Sequence, residues 1–206
     1  WSWSKVTALA LATVTTNPKT IATNLAISAL SSKPLASDLA EKFAKAGFTL
    51  ALVGGPVRDA ILGRLGNDLD FTTNAKPDET KAIIKKGADS IWEIGREFGT
   101  IAAQYGDVTV EITTYRSEKY EIDSRNPEVK FGETIEGDLL RRDFTVNAMA
   151  LELTTTPPTF IDNFDGVNDL ARKVLRTPGT PENSFSDDPL RMMRAARFAA
   201  QLGFEV

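Results

Sequence analysis

Polar and apolar residues alternate in parts of this chain and follow helical spacing in others. A mostly apolar run from Phe48 to Val53 has the length and composition of a buried strand. Further along, polarity alternates through Asp68, Leu69, Asp70 and Phe71. A strand there places the two aspartates on one face and the two apolar side chains on the other. The pattern therefore predicts two neighbouring carboxylates on a strand whose opposite face is buried.

Residues 91–114 predict two more strands joined by a turn at Gly106-Asp107. Apolar side chains alternate with small or polar ones in both, and Thr109 shares with Glu111 the face opposite to the apolar set. A carboxylate in this position can complete a metal cluster on a neighbouring strand or form a salt bridge with a nearby arginine. The sequence leaves both interpretations open for Glu111.

Helices are predicted at residues 37–47, 57–62, 78–86 and 186–203. Pro189 suits the first turn of the last helix, and Gly203 ends it. The predicted buried stripe of that helix consists of Leu190, Met193, Phe198 and Leu202. Its arginines recur every three residues and so share one helix face, as Arg191, Arg194 and Arg197. A solvated basic face is the ordinary explanation of such a series.

Two segments show neither pattern. Residues 1–34 are rich in Ala, Thr, Ser and Lys and predict an extension with one or two weak helices and no chemistry. Within them, Val6 to Val14 faintly resembles a signal peptide, but its threonines and the lack of a clear cleavage site favour an ordinary helix. Residues 116–137 are charged and turn-forming, which predicts an active-site loop or a disordered segment.

Cysteine and histidine are absent from the 206 residues, which excludes disulfides, thiolate metal sites and imidazole ligands or bases. A metal ion would therefore be held by oxygen, which favours Mg²⁺ or Mn²⁺ over zinc. The formal net charge of −4 requires a local basic patch or a further domain for nucleic-acid binding. No apolar run approaches transmembrane length. We expect a cytoplasmic protein without membrane association, and no feature indicates a protein partner.

Candidate chemistry is concentrated just after the first predicted strand. Gly54-Gly55 close that strand and Pro56 suits the first turn of a helix, an arrangement that presents backbone N–H groups and a positive dipole end to phosphate oxygens. Arg58, in that first turn, would add a cation. The two aspartates about a dozen residues later supply what a divalent cation carrying a nucleoside triphosphate requires. Alone, a glycine turn is mostly structural and an Asp-x-Asp pair mostly a solvated strand edge, but together they indicate a nucleotide site.

Three motifs in this order resemble the polymerase-β-like nucleotidyltransferases, in the branch that holds tRNA CCA-adding enzymes and bacterial poly(A) polymerases. The first is LVGGPVRDAILG at 52–63, followed by DLD at 68–70. The second is DLLRRDFTVNAMA at 138–150, and the third is SDDPLRMMRAARFAAQLG at 186–203. The third departs from the family's Glu-Asp-x-x-Arg by having Asp187 in place of Glu. Neither G-x-x-x-x-G-K-S/T nor G-x-G-x-x-G is present.

The resemblance covers about residues 37–206 and implies an α/β (α+β) fold. It predicts a polymerase-β-like nucleotidyltransferase head with a mixed, mostly antiparallel sheet, followed by the start of an all-α neck. We predict an N-terminal extension at 1–36, the head at 37–176 and the start of the neck at 177–206. In the family, helical domains that grip tRNA follow the head, so we expect the chain to be a fragment of a longer protein.

The implied activity is template-independent transfer of CMP and AMP from CTP and ATP to the 3′ end of tRNA or another RNA, with release of pyrophosphate. Asp68 and Asp70 would be catalytic and hold two Mg²⁺ ions, or Mn²⁺, and Glu111 is a further catalytic candidate. The implied nucleotide-binding residues are Gly54, Gly55, Arg58, Arg142, Asp143, Asn147, Asp188, Arg191, Arg194 and Arg197.

In the resembling enzymes the third motif replaces a nucleic-acid template. Asp188 can only accept hydrogen bonds, so it suits the amino groups of cytosine and adenine, whereas Arg191 can only donate and suits their ring acceptors. Uracil and guanine present a carbonyl to Asp188 and an N–H to Arg191, and the unpaired buried groups would reject them. Arg194 and Arg197 would orient these two residues or contact the phosphates.

Three functions fit these motifs. CCA addition is the leading interpretation, and a bacterial poly(A) polymerase is the second because it shares every motif. The third is a non-catalytic nucleotide- or RNA-binding module on a retained fold. The intact pair of Asp68 and Asp70 argues against such a module, because binding alone does not require the ligands of two metal ions.

Overall fold

The computed structural model describes residues 17–93, 95–117, 130–132 and 134–206. Within these residues the helices are α1 (Pro18–Leu30), α2 (Pro34–Lys45), α3 (Gly55–Ile61), α4 (Pro77–Ile84), α5 (Ile135–Leu140), α6 (Gly166–Arg172), α7 (Pro181–Asp187) and α8 (Leu190–Leu202). The strands are β1 (Ala51–Val53), β2 (Asp68–Thr73), β3 (Ser90–Trp92), β4 (Thr100–Tyr105), β5 (Val108–Thr114), β6 (Arg116–Ser117), β7 (Lys130–Phe131), β8 (Met149–Glu152) and β9 (Thr159–Asp162). No helix in the described part is long and apolar enough to cross a membrane.

The described strands form one seven-stranded sheet in the order β3-β4-β5-β2-β1-β8-β9, and β6 pairs with β7 separately. In the large sheet β2 and β5 run parallel. The other neighbouring pairs are antiparallel. The predicted α/β fold with a mixed, mostly antiparallel sheet is therefore confirmed. The signal-like stretch at Val6 to Val14 and residues 118–129 of the predicted loop lie outside the described residues.

The two faces of the sheet differ in what covers them. One face packs on the helices and forms the main core, in which Leu69 and Phe71 are each 1% exposed, as the alternation predicted. On the opposite face, α5 covers β1 and β8 through Leu139, which packs with Val53 and Ala150. Along β3, β4 and β5 that second face carries side chains that are partly or fully exposed. This uncovered half of the sheet adjoins the candidate site.

The last helical region differs from the prediction. The helix predicted from residue 186 begins at Leu190, and the separate helix α7 precedes it. Leu190 and Met193 are 69% and 71% exposed, so their assignment to a buried stripe is wrong. The buried side of α8 instead consists of Arg191, Ala195 and Phe198. An arginine is buried there because Ser184 and the carbonyl oxygen of Arg141 supply hydrogen-bond acceptors for its guanidinium, as described below.

The N-terminal part of the described chain also packs more closely than its composition indicates. The helix α1, which falls in the predicted extension, buries Ala22, Ala26 and Leu30 in the main core. The helix α2 begins at Pro34, so Ser37 lies inside it and does not cap it as predicted. Small alanine side chains allow close helix packing without the large apolar residues that a periodicity search relies on.

Candidate active site

The turn after β1 depends on Gly54. Its backbone has φ +72° and ψ −138°, a conformation that glycine adopts readily and other residues rarely do. A Cβ atom on Gly54 would lie 2.8 Å from Nη1 of Arg142 and 3.9 Å from Oδ2 of Asp70. Glycine thus permits both the turn and the close approach of a guanidinium and a carboxylate. The helix α3 begins at Gly55, directly beside them.

Parallel pairing of β2 and β5 brings the acidic side chains together. Asp70 lies opposite Glu111 in the register, and Asp68 precedes it on the same face. The pKa of Asp70 is raised to about 6, chiefly by burial and also by the charges of Glu111 and Asp68, while Arg142 offsets part of the rise. These three carboxylates form no hydrogen bond or ion pair with their side-chain oxygens within the described part of the chain. Their negative charge is therefore only partly offset, through Arg142.

Arg142 and Arg141 are fixed by Asp138, which is completely buried. Oδ1 of Asp138 accepts from Nη2 of Arg141 at 2.7 Å, and Oδ2 accepts from Nη2 of Arg142 at 3.3 Å. Burial raises the pKa of this carboxyl, but Arg142 and Arg141 outweigh the effect and hold the pKa below its usual range. Two adjacent arginines are thus held at one wall of the site by a single ionised residue.

A second hydrogen-bonded group links α3 to α8. Nη1 of Arg58 donates to Oδ1 of Asn147 at 2.6 Å, and Nδ2 of Asn147 donates to Oδ1 of Asp143 at 3.0 Å. Oδ2 of Asp143 accepts from Nε of Arg194 at 2.8 Å and forms an ion pair with Nη2 of the same residue at 2.7 Å. The backbone N–H of Phe144 donates to Oδ1 of Asp143 as well. Asp143 therefore accepts hydrogen bonds from three protein N–H groups and holds two of the predicted nucleotide-binding residues in place.

Arg191 is buried at the start of α8, and its guanidinium is held from two sides. Nη1 donates to the hydroxyl and the carbonyl oxygen of Ser184 at 2.8 and 3.3 Å, and Nη2 donates to the carbonyl oxygen of Arg141 at 2.7 Å. Because a guanidinium has five N–H groups, at least two remain for the cavity. Oδ1 of Asp188 accepts from the backbone N–H of Leu190, which leaves its Oδ2 facing Nε of Arg191 at 4.0 Å.

The ring of Phe198 packs against three arginines of the site. Its ring lies 4.8 Å from the guanidinium carbon of Arg197, 5.4 Å from that of Arg194 and 5.5 Å from that of Arg58, distances typical of cation–π contacts. Phe144 meets the same ring edge-on at 5.9 Å. The aromatic pair therefore joins the basic side chains of α8 to the head.

One cavity of about 460 Å³ collects most of the predicted residues. Its lining includes Gly54, Gly55, Arg58, Asp70, Glu111, Arg142, Asp143, Asn147, Asp188, Arg191 and Arg194. Two predicted residues lie outside that lining. Asp68 borders an adjoining groove that also contacts Gly55 and Asp70, and Arg197 stacks on Phe198 instead.

Sequence reasoning missed several residues of the site. Arg116 and Arg141 also line the cavity. The sequence did contain a signal for Arg141. Adjacent arginines at 141 and 142 can both reach a carboxylate that lies three or four residues earlier on a helix. Ser184 carried no sequence signal of its own, because its role depends on which guanidinium comes to lie beside it.

The residues present fit a divalent cation. Two aspartates on one strand face supply the hard oxygen ligands that Mg²⁺ prefers, and Glu111 and Asp68 add negative charge beside Asp70 that a cation would offset. No group of three or more acidic side chains among the described residues is placed to hold a metal ion unaided. This agrees with the usual Mg²⁺ site, in which one or two carboxylates are completed by substrate phosphates and water.

The comparisons with known proteins point to the same chemistry. Residues 50–176 match the family model described as Poly A polymerase head domain. The chain is 46% identical over 167 residues to a CCA-adding enzyme of Streptococcus suis, covering 81% of this chain and 40% of that protein. It superimposes on the crystal structure of the Bacillus stearothermophilus CCA-adding enzyme in complex with CTP with a TM-score of 0.70 and 36% identity, over 82% of this chain and 39% of the other.

A tRNA nucleotidyltransferase complexed with a primer tRNA and an incoming ATP analog is also similar, with a TM-score of 0.66 and 33% identity over 81% of this chain and 46% of the other. The chain spans 40% of the length of the Streptococcus relative. The family model itself covers well over half of this chain, including the glycine turn, the two aspartates and the 138–150 motif. The chain therefore belongs to the family of poly A polymerase head domains.

Proposed function

We propose that the chain carries the catalytic site of a template-independent RNA nucleotidyltransferase, which adds CMP and AMP from CTP and ATP to the 3′ end of tRNA. The observation that carries the proposal is the single cavity in which the glycine turn, Asp70 and the pair of Asp188 and Arg191 meet. The glycine turn suits the phosphates, Asp70 suits the metal ion, and the pair of Asp188 and Arg191 suits the base. The CTP, ATP-analog and primer tRNA in the solved relatives support the same substrates.

In this proposal the 3′ hydroxyl of the RNA loses its proton to solvent as its oxygen attacks the α-phosphorus of the triphosphate, and the bond from that phosphorus to the bridging oxygen breaks to release pyrophosphate. Asp68 and Asp70 hold two Mg²⁺ ions, with Glu111 as a further acidic residue beside them. When bound, the ions supply Lewis acidity at the reacting oxygens and neutralise the triphosphate. Arg142 offsets part of the charge of Asp70, and a bound cation would add to that effect.

The triphosphate lies against the turn of Gly54 and Gly55. Arg142, held by Asp138 beside Gly54, donates to its oxygens, because a guanidinium is a planar fork suited to phosphate. Arg58 still has N–H groups to offer after its bonds to Asp59 and Asn147. Positioning is the main contribution, since phosphoryl transfer depends on alignment and charge stabilisation.

The base lies against Asp188 and Arg191. The free N–H groups of Arg191 donate to ring acceptors, and Oδ2 of Asp188 accepts from the amino group of cytosine or adenine. Asp143 and Asn147 act by holding Arg58 and Arg194, because their own polar atoms already bond to protein groups. Arg197 acts through Phe198, against which it stacks.

A poly(A) polymerase is the second candidate, favoured by the description of the matching family model. The two differ in their use of CTP, since a poly(A) polymerase incorporates AMP alone. A non-catalytic binding module is the third candidate and predicts nucleotide binding without any transfer. We further propose a cytoplasmic location, where tRNA and the triphosphates are both available.

The test supplies the protein with tRNA that lacks its 3′ CCA end and one nucleoside triphosphate at a time, in the presence of Mg²⁺. CCA addition predicts incorporation of CMP from CTP alone, followed by AMP once ATP is added. Long runs of AMP with no use of CTP would favour the poly(A) activity. Binding of CTP and ATP without transfer of either would leave only the binding module.

A further inference from the structure

The uncovered half of the sheet continues directly from the catalytic carboxylates. Asp70 of β2 lies opposite Glu111 of β5, Glu111 opposite Ala102 of β4, and Ala102 opposite Trp92 of β3. Opposed residues point to the same face of a sheet, so these four side chains form one row across it. With strands about 4.8 Å apart, Trp92 lies roughly 14 Å from Asp70 along the row. Ala102 is the smallest member and leaves room above the sheet between Glu111 and Trp92.

A groove of about 720 Å³ runs over this part of the row. Trp92 and Phe98 line it and are 41% and 47% exposed, which is unusual for two large aromatic rings close together. Glu111 and Arg116 line both this groove and the cavity that holds the other site residues. The groove therefore opens at its inner end into the candidate active site.

The direction of the reaction decides what this groove can hold. In phosphoryl transfer the attacking and leaving oxygens lie roughly in line on opposite sides of the phosphorus. In the proposed function the leaving pyrophosphate lies over Gly54 and Gly55, on the β1 side of Asp70. The attacking hydroxyl must then approach from the other side of β2, which is the side of β5, β4 and β3.

We propose that this groove binds the 3′-terminal nucleotides of the RNA acceptor, with Trp92 and Phe98 as surfaces on which their bases stack. The inference rests on the proposed function and extends it to the second substrate. Aromatic side chains bind unpaired bases without regard to sequence, because every base has a π-face. An acceptor whose end changes with each nucleotide added requires a surface of that kind.

The charge and size of the groove limit the proposal to the end of the RNA. Three strand spacings correspond to about two nucleotides of a single strand, and Arg116 is the cation in the lining, beside Glu111. Arg96, which is not part of the lining, is paired with Asp78 and Glu93. The groove thus contributes stacking and direction, and phosphate contacts further along the RNA must come from elsewhere.

The test compares the steady-state rates of nucleotide transfer by the wild type and by groove variants. Both are prepared with any sequence that flanks this chain in the cell. The acceptor is tRNA lacking its 3′ end, titrated at saturating CTP. Trp92→Ala should raise the KM for the acceptor about tenfold, since stacking on one aromatic ring contributes roughly that factor. The KM for CTP should change less than twofold, because Trp92 lies outside the nucleotide cavity. Trp92→Phe keeps a ring and should stay near the wild type.

Two further variants separate the groove from general effects. Ala102→Phe places a large side chain on the groove floor and should raise the acceptor KM at least as much as Trp92→Ala. Leu62→Ala, at a residue 43% exposed just after α3, should leave both KM values unchanged. Circular dichroism checks that each variant is folded before its kinetics are compared.

Each outcome decides the proposal. An acceptor KM that stays within twofold of the wild type in both Trp92→Ala and Ala102→Phe would overturn it and leave the groove to another occupant, such as a protein or another segment of this chain. The proposed nucleotidyl transfer would survive that result, since the wild type would still be active. Absence of transfer by the wild type with any triphosphate would instead overturn the proposed function and this inference together.

Discussion

The basic and acidic sides of the cavity are built in opposite ways. On the basic side, Arg191 is hydrogen-bonded to Ser184 and Arg194 is paired with Asp143. On the acidic side, the side chains of Asp68, Asp70 and Glu111 form no hydrogen bond or ion pair within the described residues. One side is held in place by the protein, and the other carries mutual repulsion that Arg142 relieves in part and a bound cation would relieve further.

The difference shows where the folded chain alone determines the geometry. The arginines must hold fixed directions to discriminate between base edges, so their N–H groups are partly committed to protein acceptors in advance. The carboxylates need only be close together, because cations and phosphates complete their coordination. Substitutions on the two sides should therefore have different effects. Those on the acidic side should slow the transfer step, and those on the basic side should misplace the groups that bind the nucleotide.

The largest effect is expected from Asp70→Asn, which removes one of the two proposed metal ligands. Transfer should fall by a factor on the order of 10³ or more, because two-metal sites tolerate the loss of a charged ligand poorly. Single-turnover incorporation of CMP at saturating CTP and Mg²⁺ measures it, and Asp68→Asn should behave alike. Turnover within tenfold of the wild type by folded Asp70→Asn would refute the metal assignment.

The same variant should not lose stability, which separates chemistry from folding. Since the folded-state pKa of Asp70 is raised from 3.8 to about 6, the wild type loses stability as pH rises between those values. In EDTA at pH 8, Asp70→Asn should therefore be more stable than the wild type by about 1–3 kcal/mol. The gain should disappear below about pH 4, where the aspartate is protonated in both states. Urea unfolding at the two pH values measures both quantities.

On the basic side, Asp138→Asn should cost stability as well as activity. Removing this buried charge leaves Arg141 and Arg142 without their common carboxylate, and the loss of one partner from a buried ion pair costs about 3 kcal/mol. The KM for CTP should rise at the same time, because Arg142 is no longer held beside Gly54. Urea unfolding at pH 7 gives the first value and steady-state kinetics the second.

The control for this variant is Asp38→Asn, which removes an exposed carboxylate on α2 and should change stability by no more than about 0.5 kcal/mol. The pKa of Asp138 is lowered in the folded state, so its stabilisation is present above the ordinary carboxyl pKa and is lost as pH falls through the lower folded-state value. The difference between wild type and Asp138→Asn should thus shrink below about pH 4. A difference independent of pH would show that the charge pairing is not its source.

Sequence alone could predict the acidic side of the site better than the basic side. The face shared by Asp68 and Asp70 follows from the two-residue period of a strand, and the buried positions of Leu69 and Phe71 bear it out. That Glu111 lies opposite Asp70 required the register between two strands distant in sequence, which periodicity cannot give. Local patterns therefore predicted the Asp-x-Asp motif but not the pairing of β2 with β5.

On the basic side, local patterns misled. The apolar spacing in the last helix predicted that Leu190 and Met193 are buried, yet both are exposed and Arg191 is buried. Arginines usually lie at the protein surface. Arg191 is buried because the carbonyl oxygen of Arg141 and the hydroxyl of Ser184 accept hydrogen bonds from its guanidinium. Ser184 lies seven residues and Arg141 fifty residues before Arg191 in the sequence, so no local pattern indicates these contacts.

A smaller effect than that of Asp138→Asn is expected from Asp188→Asn, which tests the base contact directly. The amide adds a donor able to meet the O4 of uracil or the O6 of guanine, and it weakens the preference for cytosine and adenine. Relative kcat/KM for CTP over UTP should fall by about tenfold to a hundredfold, the value of one buried contact. Incorporation from each of four triphosphates at subsaturating concentration measures it. An unchanged preference would remove Asp188 from base recognition.

The smallest and sharpest test is Ser184→Ala, which removes one hydroxyl and no charge. Ser184 does not line the cavity, so any change in base choice must act through Arg191, whose Nη1 it holds at 2.8 Å. The carbonyl contacts to Ser184 and Arg141 remain, and the guanidinium should gain freedom without leaving its place. One hydrogen bond contributes about 0.5–1.5 kcal/mol net, and other contacts of this guanidinium remain, so the preference for CTP over UTP should fall roughly twofold to tenfold. The kcat with CTP at saturation should stay within about threefold, since the metal ligands are untouched.

Ser186→Ala, on the same helix and exposed, is the matched control and should leave base preference unchanged. Equal behaviour of the two variants would mean that the hydroxyl of Ser184 does not orient Arg191, and that the carbonyl oxygens alone suffice. A loss of preference in Ser184→Ala only would instead show that base choice depends on the direction of the guanidinium as well as on its presence. That result would also explain why the protein buries an arginine beside a serine on α7, where an apolar residue would pack with no polar cost. The basic side of the cavity would then owe its discrimination to hydrogen bonds made before any nucleotide binds.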